Sequence, residues 1–209
     1  MHIAQTQMSL KEKQRQQREM LILQAAEEIF AEKGYYDTSM DEVAARVGIA
    51  KGTVYLHFAS KEALIIAIFT REMERFLQEV ETILASEMTI RARLEMVLQS
   101  LYTGMHRKRS QLLSNAYNGG DLRRMLMESK SHLHELWERL ATSVTTLLEE
   151  GKANGEFDTS IPTSIMRSTF FSLLSPISYK RLVVEEHTPP EQLVKCLGHI
   201  YFKGIAEDS

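Results

Sequence analysis

The stretch TSMDEVAARVGIAKGTVYLHFASKEAL, Thr38 to Leu64, reads as two short helices joined by a tight turn, with a third helix beginning at its end. Ser39 followed three residues later by Glu42 is a capping box, in which each side chain satisfies an orphan backbone N–H. Val43, Ala44 and Val47 then give the first helix an apolar face. Gly48 supplies the sharp turn, because a residue without a β-carbon enters positive φ at little steric cost. Ile49 follows as an apolar plug under the turn. A second helix opens near Ala50 and carries Lys51, Thr53, Tyr55 and His57 among the small or apolar Gly52, Val54, Leu56 and Phe58. Two short helices around a glycine turn form a helix-turn-helix, whose second helix enters the major groove of double-stranded DNA.

Upstream, ILQAAEEIFAEKGYYDTSM (Ile22 to Met40) resembles the first helix and following turn of the TetR-type transcriptional regulators. AKGTVYLHFASKEAL (Ala50 to Leu64) resembles their recognition helix and the start of their linking fourth helix. The resemblance implies an all-α chain: a three-helix DNA-binding head over residues 1–58, joined by a linking helix to a ligand-binding and dimerisation body over 59–209. It further implies a repressor that binds a palindromic operator as a homodimer and is released by a small hydrophobic ligand. A dimer answers a physical need, since one short recognition helix reads few bases, whereas two heads roughly 34–36 Å apart read a palindrome. The alternative is a DNA-binding structural or partner-recruiting protein with no small ligand.

Within the head, Thr38 and Ser39 lie at a helix start, where backbone N–H groups and a hydroxyl hold phosphate; capping alone is the other reading of Ser39. Lys51, Gly52 and Thr53 open the second helix, the part that reaches base edges. Lys51 is suited to guanine O6 and N7, and Thr53 to a phosphate or a thymine methyl. Gly52 costs about 1 kcal/mol of helix propensity against Ala, which hints at a close approach to something. Tyr55 and His57 suit phosphate or thymine contact, with Val54 and Phe58 facing inward. Lys61 resembles the family's phosphate-clamping lysine. Ala50 stands where family proteins often carry Ser, so a cap and a phosphate donor are absent there.

Composition fits an ordinary soluble globule: 209 residues, 44% hydrophobic and 25% charged, with a formal net charge of −3. The charge is unevenly spread. Lys11, Lys13, Arg15 and Arg18 crowd the N-terminus, and from Arg46 to Lys61 there is no acid. A local basic surface suffices for phosphate contact; a solvated helix end is the other reading of the N-terminal run. The single Cys196 excludes an intramolecular disulfide, and its neighbours Val194, Leu197 and Ile200 suggest a buried thiol. No secretory signal or apolar run of about 18 residues is present, so the chain is expected in the cytoplasm without a membrane. His132 and His134 are two apart on one helix and point to different faces, which argues against a metal. No cofactor is called for, and no nucleophile elbow or phosphate loop suggests catalysis.

The helical period continues to the end of the chain. Expected helices run from Ser60 through Leu84, from Thr89 to about His106, and from Asp121 to Glu150 after a break at Asn118–Gly120. Gly151 and Gly155 are expected to stop the last of these. Two apolar helices follow, Pro162 to about Val184 and Pro189 to about Ile205, the second capped by Thr188 with Glu191 completing a capping box. In proteins of the family these two pair with their copies in a second subunit. Met96, Tyr102, Met105, His106, Asn115, Tyr117, Met125, Trp137 and Phe170 are candidates to line an effector pocket, since Met and aromatic side chains with a few polar groups suit a greasy ligand. Most of them also sit at core spacing.

Overall fold

The computed structural model describes residues 9–106, 132–174 and 180–206. Regular structure among them is helical, with an isolated antiparallel bridge between Phe157 and Ala206. The helices are α1 (Leu10–Lys33), α2 (Met40–Val47), α3 (Lys51–His57), α4 (Lys61–Leu84), α5 (Ile90–His106), α6 (His132–Ala153), α7 (Thr163–Ser172) and α8 (Pro190–Gly204), with a π-helical turn at Lys180–Glu185. The chain divides into two compact units, Met1–Phe69 and Thr70–Ser209.

In the first unit α1 starts well before Ile22. Ser9 caps it by accepting the Glu12 N–H at 3.2 Å. Its first half is exposed, and its buried residues begin at Ile22. The helix stops at Gly34, whose φ of 89° only glycine adopts without strain. The capping box at Ser39 and Glu42 is complete in both directions. Gly48, left-handed at φ 77°, donates to Ala44 and Ala45 carbonyls and closes α2. Ile22, Ala26, Ile29, Phe30, Met40, Val43, Ala44, Val54, Leu64, Ile65 and Ile68 are buried and make this unit's core.

In the second unit α5 packs on α6 and α8, and α6 packs on α7. Leu94, Leu98, Leu136, Leu140, Leu148, Phe157, Phe170 and Phe202 are among the buried side chains of its core. Two buried phenols are satisfied by backbone: Tyr102 donates to the Leu173 carbonyl at 2.5 Å and Tyr201 to that of Met166 at 2.9 Å.

Four expectations change here. Gly151 does not stop a helix; α6 continues to Ala153, and the buried Phe157 ring lies so close that a β-carbon at 151 would sit 2.2 Å from it. The turn belongs to Gly155 at φ 72°. The α-helix expected from Pro162 to Val184 ends at Ser172; residues 175–179 of that stretch lie outside the described residues, and its end falls in the π-helical turn Lys180–Glu185. Thr188 does not cap α8. Pro189, held extended by the proline after it, is the cap residue and makes no side-chain bond. Cys196 is exposed, not buried, because α8 turns Gly198, Tyr201 and Phe202 inward and leaves Cys196 and Ile200 on the opposite face.

Candidate nucleic-acid interface

The second helix of the motif, α3, is seated by one residue. Val54 is fully buried, and the 3.6-residue period then places Gly52, Tyr55 and Leu56 on the outward side, with Lys51 exposed at the first position of the helix. Thr53 is half-buried at the edge of that face. Leu56, which reads in sequence as ordinary apolar filler, is 81% exposed. Its signal was available: once Val54 is taken as the anchor, position 56 lies across the helix from it. A β-carbon at Gly52 would meet nothing within 4 Å. No internal packing therefore demands a glycine there. As Ala50 implies, α3 begins without a side-chain cap.

The other candidates are placed less uniformly. Ser39 is exposed at the start of α2, but its hydroxyl serves the capping box with Glu42. Thr38 is buried and donates to the Gly34 carbonyl at 2.7 Å. Lys61 directs its ammonium at three carbonyls, those of Tyr35 (2.8 Å), Tyr36 (3.2 Å) and Thr38 (2.9 Å). It also lies 4.5 Å from the centre of the Tyr35 ring. An ammonium has three donors, so Lys61 is engaged in tying down the α1–α2 turn. The His57 side chain is 8% exposed, and its Nδ1 lies 3.1 Å from Glu19 on α1. The sequence reading offered His57 to the groove; the ring instead faces α1.

Charge in the head is largely balanced internally. Arg46 makes a two-pronged bond to Glu32 (3.0 and 2.8 Å), which raises its own pKa and lowers that of Glu32. Lys33 pairs with Glu42. That contact, helped by the Ser39 N–H and hydroxyl, holds the Glu42 carboxyl down at about 2. Lys51 pairs with Asp41. Tyr35 donates to Glu62 at 3.1 Å, and burial first, then the Glu62 charge, pushes its phenol upward.

A helix-turn-helix with a clear outward reading face thus sits in residues 22–68, and that same segment matches the model of bacterial regulatory proteins of the tetR family. Those residues form a helix-turn-helix segment of the tetR-family type. It is 28% identical over 167 residues to the fatty acid metabolism regulator protein of Bacillus subtilis, an alignment covering 78% of this chain and 82% of that one. Its fold is similar to that of the fatty acid degradation regulator FadR of Bacillus halodurans, with a TM-score of 0.73 at 21% identity, over 88% of this chain and 94% of that one. The FadR regulator of Bacillus subtilis, solved with stearoyl-CoA, superposes with a TM-score of 0.68 at 21% identity, over 89% and 98%.

In the second unit, the candidate effector residues scatter. Tyr102 and Phe170 are fully buried in the core, and Trp137 is half-buried against it. Met96 is exposed. Met105 and His106 lie in the last turn of α5. Asn115, Tyr117 and Met125 lie outside the described residues. A groove of about 260 Å³ between α4 and α6 is lined by Glu74, Leu77, Glu81, His132, Leu136 and Arg139 among others. Two ion pairs span it, His132 to Glu74 at 3.1 Å and Arg139 to Glu81 at 2.7 Å. Contacts with Glu135 and then Glu74 raise the His132 pKa. Among the described residues no group of three or more His, Cys, Asp or Glu is arranged to hold a metal, and no single helix is long and apolar enough to cross a membrane.

Proposed function

We propose that this regulator is a repressor that binds a palindromic operator as a homodimer and is released by a long-chain acyl effector such as an acyl-CoA. The observation that carries the DNA half is the outward face of α3, where Lys51, Gly52, Tyr55 and Leu56 stand exposed around a single buried anchor. In the groove Lys51 reads guanine, and Thr53 and Leu56 meet thymine methyls. Tyr55 reaches the phosphate flank. Residues 1–58 are assigned to DNA contact, and residues 59–209 to effector binding and dimerisation. Lys61 then acts by fixing the turn before Ser39, and the exposed first half of α1, with Lys11, Lys13 and Arg18, supplies general attraction to phosphate.

Dimerisation through α7 and α8 is supported by two large aliphatic side chains left in the open, Ile165 at 56% and Ile200 at 67% exposure. The acyl effector is supported by the likeness to the fatty acid metabolism regulator and to the protein solved with stearoyl-CoA. An effector acts only by its differential affinity for the DNA-competent and released forms. The test is fluorescence anisotropy of a bound operator titrated with acyl-CoAs of graded chain length. Release that strengthens with chain length supports the proposal; equal indifference to every chain, and to free coenzyme A, overturns the effector assignment.

A further inference from the structure

We propose that Asp41 is a specificity-determining residue of the head: it engages the Lys51 ammonium in the free protein and so withholds that charge from the phosphates of non-target DNA. This rests on the DNA-binding reading above. Lys51 Nζ lies 2.7 Å from one Asp41 oxygen and 2.9 Å from the other. The pair joins the first turn of α2 to the first turn of α3, the two helix starts that the motif presents to DNA. Both side chains are more than half exposed, at 57% and 61%.

Asp41 has no part in the cap of α2, which Ser39 and Glu42 complete between them. An acid beside a phosphate-facing helix start works against binding, and the helix dipole that a first-turn acid complements is already met by Glu42. The other cations between residues 33 and 61 have internal partners away from the reading face: Lys33 on Glu42, Arg46 on Glu32, Lys61 on three carbonyls. Lys51 alone among them stands on α3. An exposed ion pair is weak, so it opens readily when Lys51 gains a well-placed guanine with two acceptors. A phosphate encountered at random offers the ammonium little more than Asp41 already does, and Asp41 repels that phosphate. The exchange therefore favours the target sequence over the background.

The full-length protein, Asp41→Asn, Lys51→Gln and the double variant are titrated on a random-sequence duplex by anisotropy between about 50 and 200 mM salt. Thermal unfolding of each serves as the folding control. Asp41→Ser, which keeps a small polar residue in the first turn, serves as a second version of the change. With Lys51 released, each head neutralises about one more phosphate, so the salt slope steepens by about 0.9. Over that salt range the loss of affinity grows by about 3.5-fold per head. In the Lys51→Gln background the same change at Asp41 leaves the slope where it was. An unchanged slope in Asp41→Asn and Asp41→Ser overturns the inference, as does equal steepening with and without Lys51. Wild-type protein that binds no duplex at the lowest salt overturns the DNA-binding reading itself, and this inference with it.

Discussion

Replacing Gly52 with alanine separates folding from DNA reading more sharply than any other single change in the head. Gly52 is the second residue of α3, exposed, in ordinary helical conformation, with open space where a β-carbon would project. Nothing inside the protein opposes the methyl. In a helix interior alanine is favoured over glycine by about 0.8–1.0 kcal/mol. Gly52 lies in the first turn, so about 1 kcal/mol is the upper bound, and the midpoint of thermal unfolding should rise by roughly 2–4 °C at most. If the bare backbone is there so that the helix approaches the base edges, the same methyl meets DNA. Operator affinity should then fall at least about tenfold, equivalent to about 1.4 kcal/mol. The assay pairs a thermal melt with anisotropy on the operator. Stability and affinity must move in opposite directions. A variant that is stabilised and binds DNA as before would refute the close-approach reasoning; one that is destabilised would refute the account of α3.

Three further outcomes are expected. Lys61→Ala should lower the stability of the head by about 1.5–3 kcal/mol, because three carbonyls lose a charged donor, and should weaken binding to all sequences alike; unaltered melting with weaker binding would make Lys61 a direct phosphate clamp instead. Gly151→Ala should cost about 1–3 kcal/mol of body stability through overpacking against Phe157, a penalty that disappears in a Phe157→Ala background and is read by chemical denaturation. Glu42 titrates near 2 in the folded head because of Lys33 and Ser39, below the ordinary carboxylate value of about 4.3. Its contribution is therefore fully present above that ordinary value and is lost as pH falls through about 2. Glutamine keeps the capping box, so the melting gap between wild type and Glu42→Gln should close as pH drops through this window; a gap constant down to the lowest pH would rule out the charge as its source.

Local signals in the sequence carried most of the head. The capping box, the left-handed glycine and the anchor at Val54 each depend on residues within a turn or two of one another. The readings that changed depend on partners distant in the chain. His57 meets Glu19 across 38 positions, and Lys61 reaches back 26 to the Tyr35 carbonyl; helical periodicity carries no information about either. Leu56 carries no role among the small and apolar residues of the second helix by type alone, yet its position opposite Val54 puts it outside. Gly151 looked like a stop because glycine favours helix ends, but here the missing side chain makes room for a ring six residues on. Cys196 shows the remaining limit. Periodicity groups it with Ile200 on one face of α8, and only the packing of α5 against the other face reveals that this one is outward. Of the effector candidates, type and spacing could not separate the fully buried Tyr102 and Phe170 from the exposed Met96.

Whether α3 reads a specific sequence is decided by selection of bound duplexes from a random oligonucleotide pool by the purified protein. The expected result is a palindromic consensus with half-sites about one helical turn apart, roughly 34–36 Å, lost when Lys51 and Tyr55 are both replaced by alanine. A pool that stays random even at low salt, where attraction to phosphate is greatest, or a consensus that survives those replacements, would contradict it.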